Sequence, residues 1–389
     1  GVVFAGWAAR ALVSLAVSTA AVSLVDVTLD MQVMVFAVAL SVVGGLVCGI
    51  WPSFSARHTD PALALSTEGR TVTSGRHFGR RLLVAAQIAL SFSLLTGAGL
   101  FARTLVNLQG LDFGFDTEHL LSARLDATLS GYSKPQLLNF FGVVCGLVAA
   151  HPGVRSASYA AIPLLNRSSW GSGITLDTGI RDDRPGPERN AVGPRYFSTV
   201  GFRIVAGREF TDSDVASSQK AAVVNEAFAQ KYFAGHAIGH QIGPGGSNGS
   251  ADFTVVGVAS NGRYAEVREN VAPFWYVPYQ QLEPLGQSDT AVRITRGLLT
   301  LHVRTNGDPA AVANAVQSAI AAIDKRVTVF GIKTMRQQIA DQLTLERLLA
   351  WLGVVFAVIA LIVAALGLYG VVAYDTTART REFGVRIAL

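Results

Sequence analysis

Charged side chains are scarce in this 389-residue chain, and that scarcity is the first guide to its environment. Only 15% of the residues are Asp, Glu, Lys or Arg, whereas half are hydrophobic. An ordinary soluble domain carries roughly a quarter of charged residues. Part of the chain is therefore expected to face lipid.

The motifs of several functional classes are also lacking. The two cysteines, Cys48 and Cys145, have no metal-ligand spacing, and we expect no disulfide between them. There is no phosphate-binding loop with its lysine, no HExxH pair and no Gly-x-Ser-x-Gly elbow. No lysine-rich stretch with interleaved aromatics predicts nucleic-acid binding. We expect neither catalysis nor a resident metal or cofactor.

Two residue pairs could suggest a site, but their surroundings indicate loops. His236 and His240 lie four apart, between glycines that favour turns over a metal site. Asp182 and Asp183 stand in a proline-rich stretch and are interpreted as solvated loop acids.

Three uncharged runs are long enough to cross a bilayer as helices. They cover residues 33–51, 82–102 and 348–374, with 19, 21 and 27 residues, and about 20 suffice to span a membrane. Residues 1–9 are interpreted as the end of a partial span. The predicted fold class is a membrane α-helical protein (three full spans plus a partial one) with a large extracytoplasmic α+β domain.

The arginines predict the orientation of these spans. Cytoplasmic segments carry an excess of Lys and Arg, which places the 56–81 linker and the tail after residue 374 inside and residues 105–347 outside. The arginines that decide this are Arg57, Arg70, Arg76, Arg80, Arg81, Arg379, Arg381 and Arg386.

The outer segment of roughly 240 residues can bury a core, as one domain or as two subdomains. Alternation at His119–Asp126 and short apolar or β-rich runs elsewhere predict strands, and helical spacing predicts helices. The strand patterns cover His119–Asp126, Ala221–Val224, Phe253–Val258 and Leu298–Arg304. The helical patterns cover Pro135–Ala150, Glu226–Phe233 and Pro309–Ile323. Arg181–Arg189 and Gly243–Ser250 are predicted to be exposed loops.

Small residues recur along two of the predicted spans. Such residues let helix backbones approach closely in lipid, where hydrophobicity gives no drive for association. We predict helix-packing faces at Ala85, Ala89, Ser93 and Gly97 in one span, and at Ala360, Ala364 and Gly367 in the other.

The tail that follows the last span is short, basic and amphipathic. Glu382 and Arg386 stand at i and i+4 in the order that supports a helix. Phe383 and Ile387 form an apolar stripe beside them. The pattern leaves two interpretations open: a helix that lies on anionic lipid, or one that inserts into a groove of a cytoplasmic partner.

The same tail resembles the TREIGIRMALGA segment of the FtsX/MacB-type ABC transporter permeases. The matching residues are Thr380, Arg381, Glu382, Gly384, Arg386, Ala388 and Leu389, with Phe383 and Val385 in place of isoleucines. Four upstream segments resemble the periplasmic core domain of these permeases: Gly193–Phe202, Gly207–Asp214, Val223–Phe233 and Val255–Val258.

The resemblance implies a permease subunit in a bacterial inner (plasma) membrane. Its coupling helix, here residues 375–389 with Thr380–Arg386 as the ATPase-coupling residues, docks on a cytoplasmic ABC ATPase. That partner binds the ATP, and its motion reaches the periplasmic domain for efflux or extraction of a substrate. A periplasmic adaptor or a cell-wall hydrolase is a further candidate partner.

The layout resembles the duplicated permeases, in which two units are fused, and we interpret the chain as an internal fragment. Residues 1–55 would end a first unit, and residues 56–81 would link it to the second. The second would comprise a transmembrane helix at 82–104, the core domain at 105–347, a transmembrane helix at 348–374 and a truncated coupling helix at 375–389.

Two alternatives stay open. An extracytoplasmic α+β domain between two spans also fits a membrane sensor that signals to a cytoplasmic output. Within the family, an FtsX-like regulator of a cell-wall hydrolase would share the same layout without transporting anything.

Overall fold

A computed structural model describes most of the chain. The described residues are 31–32, 35–36, 38–39, 41–46, 74–168, 170–171, 173–182, 186–245, 249–282, 294 and 296–388. The chain divides into two compact units, Gly1–Asn107 with Leu343–Leu389, and Leu108–Gln342. We call the second unit the outer domain.

The helices in chain order are α1 (Ser74–Gln109), α2 (Lys134–Ala149), α3 (Tyr196–Val200), α4 (Glu226–Phe233), α5 (Ala313–Ile323), α6 (Met335–Gln342) and α7 (Thr344–Ala388). The strands are β1 (Leu120–Asp126), β2 (Val154–Ala160), β3 (Ile174–Leu176), β4 (Arg181–Asp182), β5 (Glu188–Val192), β6 (Ile204–Gly207), β7 (Ala221–Asn225), β8 (Gln241–Pro244), β9 (Phe253–Ala259), β10 (Phe274–Pro278), β11 (Leu298–Thr305) and β12 (Thr328–Thr334). Short 3-10 turns cover Thr128–Ser130, Tyr279–Gln281 and Pro309–Val312.

The strands of the outer domain form one mixed sheet in the order β12-β1-β11-β2-β5-β10-β7-β9-β8-β3-β4, with β6 paired to β9. The first four strands are antiparallel neighbours, and we call them the first arm. The strands from β5 onward, with β6, are the second arm, in which β10 runs parallel to β5 and β7 parallel to β9. The arms join where β2 pairs with β5, with Ala160 opposite Val192.

Side-chain caps define the helices that the sequence predicted best. Asn225 accepts a hydrogen bond from the backbone N–H of Phe228 at 2.9 Å, which begins α4 one residue later. Ser133 and Gln136 form a capping box at the start of α2, with a proline in its first turn. Both predicted helices lie within one residue of their observed bounds.

Large aromatic side chains fill the core of the outer domain. Trp275, Tyr196 and Phe197 are fully buried, and Tyr276 lies edge-on against the ring of Phe197 at 4.9 Å between centroids. Such tilted contacts between rings add to the gain from burying their area. The mixed sheet with helices confirms the α+β prediction for this segment.

Two helices of the described residues are long and apolar enough to cross a membrane, Val84–Leu108 within α1 and Thr344–Ala373 within α7. They correspond to the predicted spans 82–102 and 348–374. Of the remaining predicted span, 33–51, only residues 35–36, 38–39 and 41–46 are described, and these are helical. The partial span at residues 1–9 lies outside the described residues, so three full spans remain a prediction.

Several predicted boundaries were wrong. The predicted loop Arg181–Arg189 contains β4 and the start of β5, because residues at both ends pair with neighbouring strands. The predicted loop Gly243–Ser250 begins inside β8, which pairs with β3 and β9. Strand pairing depends on distant partners, so a polar or glycine-rich local sequence does not exclude it.

Candidate functional site

The predicted coupling residues Thr380–Arg386 lie in the last three turns of α7. The helix runs without interruption from Thr344 to Ala388, through the predicted boundary at Asp375. No proline or glycine stands between Tyr374 and Phe383 to end it. The side chains from residue 377 onward lie outside the described ones, so the coupling residues are placed by their backbone alone.

Helices α1 and α7 pack against each other as an antiparallel pair. The hydroxyl of Ser91 donates to the carbonyl of Ala360 at 3.1 Å and to that of Gln87, in its own helix, at 2.8 Å. A Cβ on Gly353 would lie 3.3 Å from the Cα of Ala98. Close backbone approach at small residues is the usual packing mode of helices in lipid.

The contact face of α7 has a seven-residue repeat. Its less exposed positions alternate three and four residues apart, at Ala350, Gly353, Ala357, Ala360, Ala364 and Gly367. This spacing is typical of helices that wrap around each other with a left-handed crossing. The predicted stripe at Ala360, Ala364 and Gly367 therefore lies on the side of α7 that faces α1.

The predicted stripe on α1 does not make this contact. Ala85, Ala89 and Ser93 are exposed, and the Ser93 hydroxyl bonds back to the Ala89 carbonyl at 3.0 Å. Gly97 has nothing near its Cα that a Cβ would meet. A four-residue spacing drifts around a helix of 3.6 residues per turn, whereas the observed face uses Gln87, Ser91 and Ala98. Whether the predicted stripe packs on another helix remains a prediction.

In the outer domain, two of the segments that carry the resemblance meet each other. The N–H of Arg195 donates to the carbonyl of Phe210 at 2.9 Å, and its guanidinium pairs with Asp212 at 3.2 Å. Gly207 has a φ of +75°, and a Cβ there would lie 2.2 Å from the carbonyl oxygen of Val256. Only glycine fits that approach, so this part of the motif maintains the fold.

A bidentate ion pair closes the same region. Arg208 donates to both carboxylate oxygens of Asp214 at 2.8 Å, and the N–H of Thr211 adds a third bond at 2.8 Å. Burial alone would raise the pKa of Asp214, but these bonds lower it below its usual value. The ion pair therefore stabilises the fold of residues 208–214.

The other two segments of the resemblance join β7, β9 and β10. Asn225 is buried, and its amide oxygen accepts the N–H groups of Phe228 and Phe274 at 2.9 Å, while its amide nitrogen donates to the carbonyl of Ala272 at 2.8 Å. One side chain thus fixes the start of α4 to the start of β10.

The histidine, aspartate and cysteine side chains that the sequence offered as possible sites have structural surroundings. His240 lies 3.1 Å from Asp177 and stacks on Phe233 at 4.4 Å, and Asp182 accepts the hydroxyl of Tyr232 at 2.8 Å. Cys145 borders a cleft of about 220 Å³ between α2 and β2, where burial raises its pKa to about 12. No cluster of metal-ligating side chains occurs among the residues that the structure describes. Asp183 lies outside them.

Comparison with known proteins finds relatives of this domain. Residues 147–319 match the family described as MacB-like periplasmic core domain. The chain is 28% identical over 242 residues to the macrolide export ATP-binding/permease protein MacB of Campylobacter jejuni, a match that covers 61% of this chain and 35% of the relative.

Two further relatives match over shorter stretches. MacB 2 of Yersinia pestis is 30% identical over 215 residues (51% of this chain, 28% of the relative). The probable syringafactin export ATP-binding/permease protein SyfD of Pseudomonas syringae is 28% identical over 212 residues (51% and 29%). The chain thus spans about a third of the length of these curated relatives.

Among solved structures, the periplasmic region of MacB from Actinobacillus actinomycetemcomitans aligns with 58% of this chain and 94% of its own, at 15% identity and a TM-score of 0.38.

Proposed function

Because the chain carries a MacB-like periplasmic core domain and is related to the MacB/FtsX-type ABC permeases, we propose that it is a permease subunit of an ABC-type system. It transmits ATP-driven motion from a cytoplasmic ATPase to its outer domain, and this motion serves efflux or extraction of a substrate.

The unbroken α7 is the observation that carries the proposal. The helix begins at Thr344, two residues after the last helix of the outer domain, and includes the segment Thr380–Arg386. At 1.5 Å per residue, its 45 residues extend about 68 Å, more than twice the hydrocarbon thickness of a bilayer. A continuous helix of this length carries a displacement from one end to the other without an intervening loop.

We place α1 and α7 across a bacterial inner membrane, with the outer domain on the extracytoplasmic side. The arginines after the span of α7 support this orientation. The exposed large apolar residues of both helices match a lipid environment, among them Phe92, Leu100, Trp351 and Leu361.

We also propose that ATP is bound and hydrolysed by the partner ATPase and that this chain itself is not an enzyme. The relatives are named as ATP-binding/permease proteins, which supports an ATP-binding partner of this class. They are also named for macrolide or syringafactin export, which supports movement of a substrate away from the cytoplasm.

Reversal of charge in the coupling segment tests the proposal. The full chain is purified from lipid with its ABC ATPase, and Glu382→Lys and Arg386→Glu are compared with Arg181→Glu, an exposed charge of the outer domain. Because a docking helix presents its charges to the partner, we expect at least a tenfold loss of co-purifying ATPase for the first two variants only. Unchanged co-purification in both would show that this segment is not the docking site.

A further inference from the structure

The helix that leads into α7 is tied to two loops of the outer domain. α6 follows β12 directly and ends at Gln342, next to the start of α7. By sequence it is continuous with the first arm, yet two of its glutamines bond to loops that pack with the second arm. We call the loops the 164 loop (residues 161–168) and the 264 loop (residues 260–273).

Gln342 bonds to the 264 loop through both the oxygen and the nitrogen of its side-chain amide. Its oxygen accepts the N–H of Val267 at 2.9 Å, and its nitrogen donates to the carbonyl of Ala265 at 3.0 Å. Two parallel bonds from one side chain fix position and orientation together, as a rung between strands does. Gln338 contacts the 164 loop through its amide nitrogen, which donates to the carbonyls of Leu164 and Leu165.

The two loops are bonded to each other as well. The N–H of Leu165 donates to the carbonyl of Tyr264 at 2.6 Å, and that of Arg167 donates to the carbonyl of Ala265 at 3.0 Å. Leu165 and Arg167 have φ values of 48° and 53°. Side-chain-bearing residues adopt this left-handed conformation only where the surroundings hold them in it.

The 264 loop is itself stiffened by a carboxylate. Glu269 accepts the N–H groups of Tyr264, Ala265 and Glu266, the last two at 3.0 and 3.1 Å. Successive backbone N–H groups that converge on one anion form a concave nest with little freedom. A force applied at Ala265 or Val267 therefore moves the loop as a whole.

From this loop, one side chain enters the core. Tyr264 is buried, stacks on Phe274 of β10 at 4.5 Å, and bonds through its hydroxyl to the hydroxyl of Tyr196 at 2.8 Å and to the amide of Asn190. Asn190 belongs to β5 and Tyr196 to α3. The polar network is satisfied at each of these atoms, and such networks resist distortion in a dry interior.

We infer that α6 is a mechanical connector that carries displacement of α7 to the 264 loop, directly through Gln342 and by way of the 164 loop through Gln338, and from there through Tyr264 into β5 and α3. The inference rests on the proposed function, because it gives the route by which the motion of α7 reaches the second arm. Gln338 and Gln342 are positioning residues, because their amides bond to the two loops.

Hydrogen exchange of the full chain in lipid nanodiscs, without nucleotide, tests the connector by itself. Gln342→Ala removes the acceptor of the Val267 amide, and one net hydrogen bond is worth about a factor of ten. We therefore expect exchange at Val267 to rise about tenfold. Gln337→Ala, on the same helix but with its side-chain oxygen bonded to the N–H of Thr334, leaves this exchange unchanged.

The conservative variant Gln342→Glu keeps an acceptor oxygen and loses the donor to Ala265. We expect it to restore protection of the Val267 amide to within about threefold of wild type, since one of two bonds remains. We call the bonds of Gln338 and Gln342 to the two loops the glutamine clasp. If exchange at Val267 does not change in Gln342→Ala, the clasp is overturned, whatever the protein transports.

A second measurement follows the motion, with the full chain bound to its ABC ATPase. In wild type we expect ATP to change exchange in the 264 loop, and in Gln338→Ala/Gln342→Ala we expect that change to be lost while ATPase binding and hydrolysis persist. A change of wild-type size in the double variant would overturn the connector. If ATP changes nothing in wild type while the Val267 result holds, the proposed function fails and the clasp stands as a structural contact only.

Discussion

The helix pair and the outer domain bury opposite kinds of side chain. In the outer domain the largest residues are inside, and Trp275 is 0% exposed. In α1 and α7 the large residues are outside, with Phe92 70% exposed and Trp351 58% exposed, while Ala357 is 4% exposed. Water drives large apolar groups inward in the outer domain. In lipid, where we propose that α1 and α7 lie, there is no such drive, and close contact between small residues holds the helices together.

The two tryptophans provide the largest test of this contrast. Trp275→Ala empties a fully buried site, and we expect it to lower the free energy of unfolding by about 3–5 kcal/mol. Trp351→Ala removes an exposed ring, which faces lipid in the proposed placement of α7, and should change the free energy of unfolding by less than about 1 kcal/mol. Unfolding of the full chain in detergent micelles, followed by circular dichroism, measures both. Equal losses in the free energy of unfolding would contradict the burial of large side chains in the outer domain and their exposure on the helix pair.

A pair of glycines tests the contact within the helix pair. Gly353→Leu adds a large side chain at a position where a Cβ alone would lie 3.3 Å from the Cα of Ala98, whereas Gly99 of α1 has open space at its Cα. Overpacking of this kind costs about 1–3 kcal/mol, and we expect Gly353→Leu to lose that much in an SDS titration of the helix pair. Gly99→Leu should cost little, and a similar loss in both would place the contact elsewhere.

Buried polar side chains provide further tests of the difference between the two regions, because both the outer domain and the helix pair contain them. His302 is fully buried in β11, with its Nδ1 3.3 Å from the hydroxyl of Ser122. Burial lowers the pKa of His302 from 6.5 to about 3. In the unfolded chain this residue binds a proton below pH 6.5, so its stabilising effect is full above pH 6.5 and is lost as the pH falls towards 3.

The measurement for His302 is the slope of stability against pH. Between pH 6 and 4 we expect wild type to lose about 1.4 kcal/mol per pH unit more than His302→Gln does. Urea unfolding of both proteins at each pH gives the difference, in which the titration of the carboxylates cancels. Parallel slopes would show that the imidazole is hydrated or charged in the fold.

The smallest expected effect concerns the hydroxyl between the helices. Ser91→Ala removes the bond to the Ala360 carbonyl, and interhelical bonds of this kind contribute about 0.6 kcal/mol. Ser93→Ala, whose hydroxyl bonds only within α1, is the matched control. The SDS titration should rank Ser91→Ala below Ser93→Ala in stability. A larger loss for Ser93→Ala would support the stripe that the sequence predicted on α1.

Local signals account for what the sequence predicted well. The α4 helix was predicted with its observed bounds because Asn225 caps it and the apolar positions recur at helical spacing. Strands β9 and β11 are rich enough in residues that favour strands to be found without their partners. Strand β5 was missed because its charged first residues resemble a loop, and its pairing with β10 depends on residues more than eighty positions away.

The contact face of α1 and the glutamine clasp could not be predicted for different reasons. A stripe of small residues indicates that a helix can pack closely. The sequence of α1 offers more than one such stripe, and the contact with α7 decides which face is used. Gln338 and Gln342 carry no pattern at all, since an amide acquires a role only when a carbonyl and an N–H lie opposite it. Both features are fixed by tertiary neighbours.

The amides of the clasp have a consequence for the conditions under which it works. For a domain on the outer side of the membrane, as proposed here, pH and salt follow the surroundings of the cell. Ion pairs at the surface weaken with salt, whereas the amides of Gln338 and Gln342 carry no charge to screen or titrate. The connection from α6 to the 164 and 264 loops therefore keeps the same strength in dilute and in saline media.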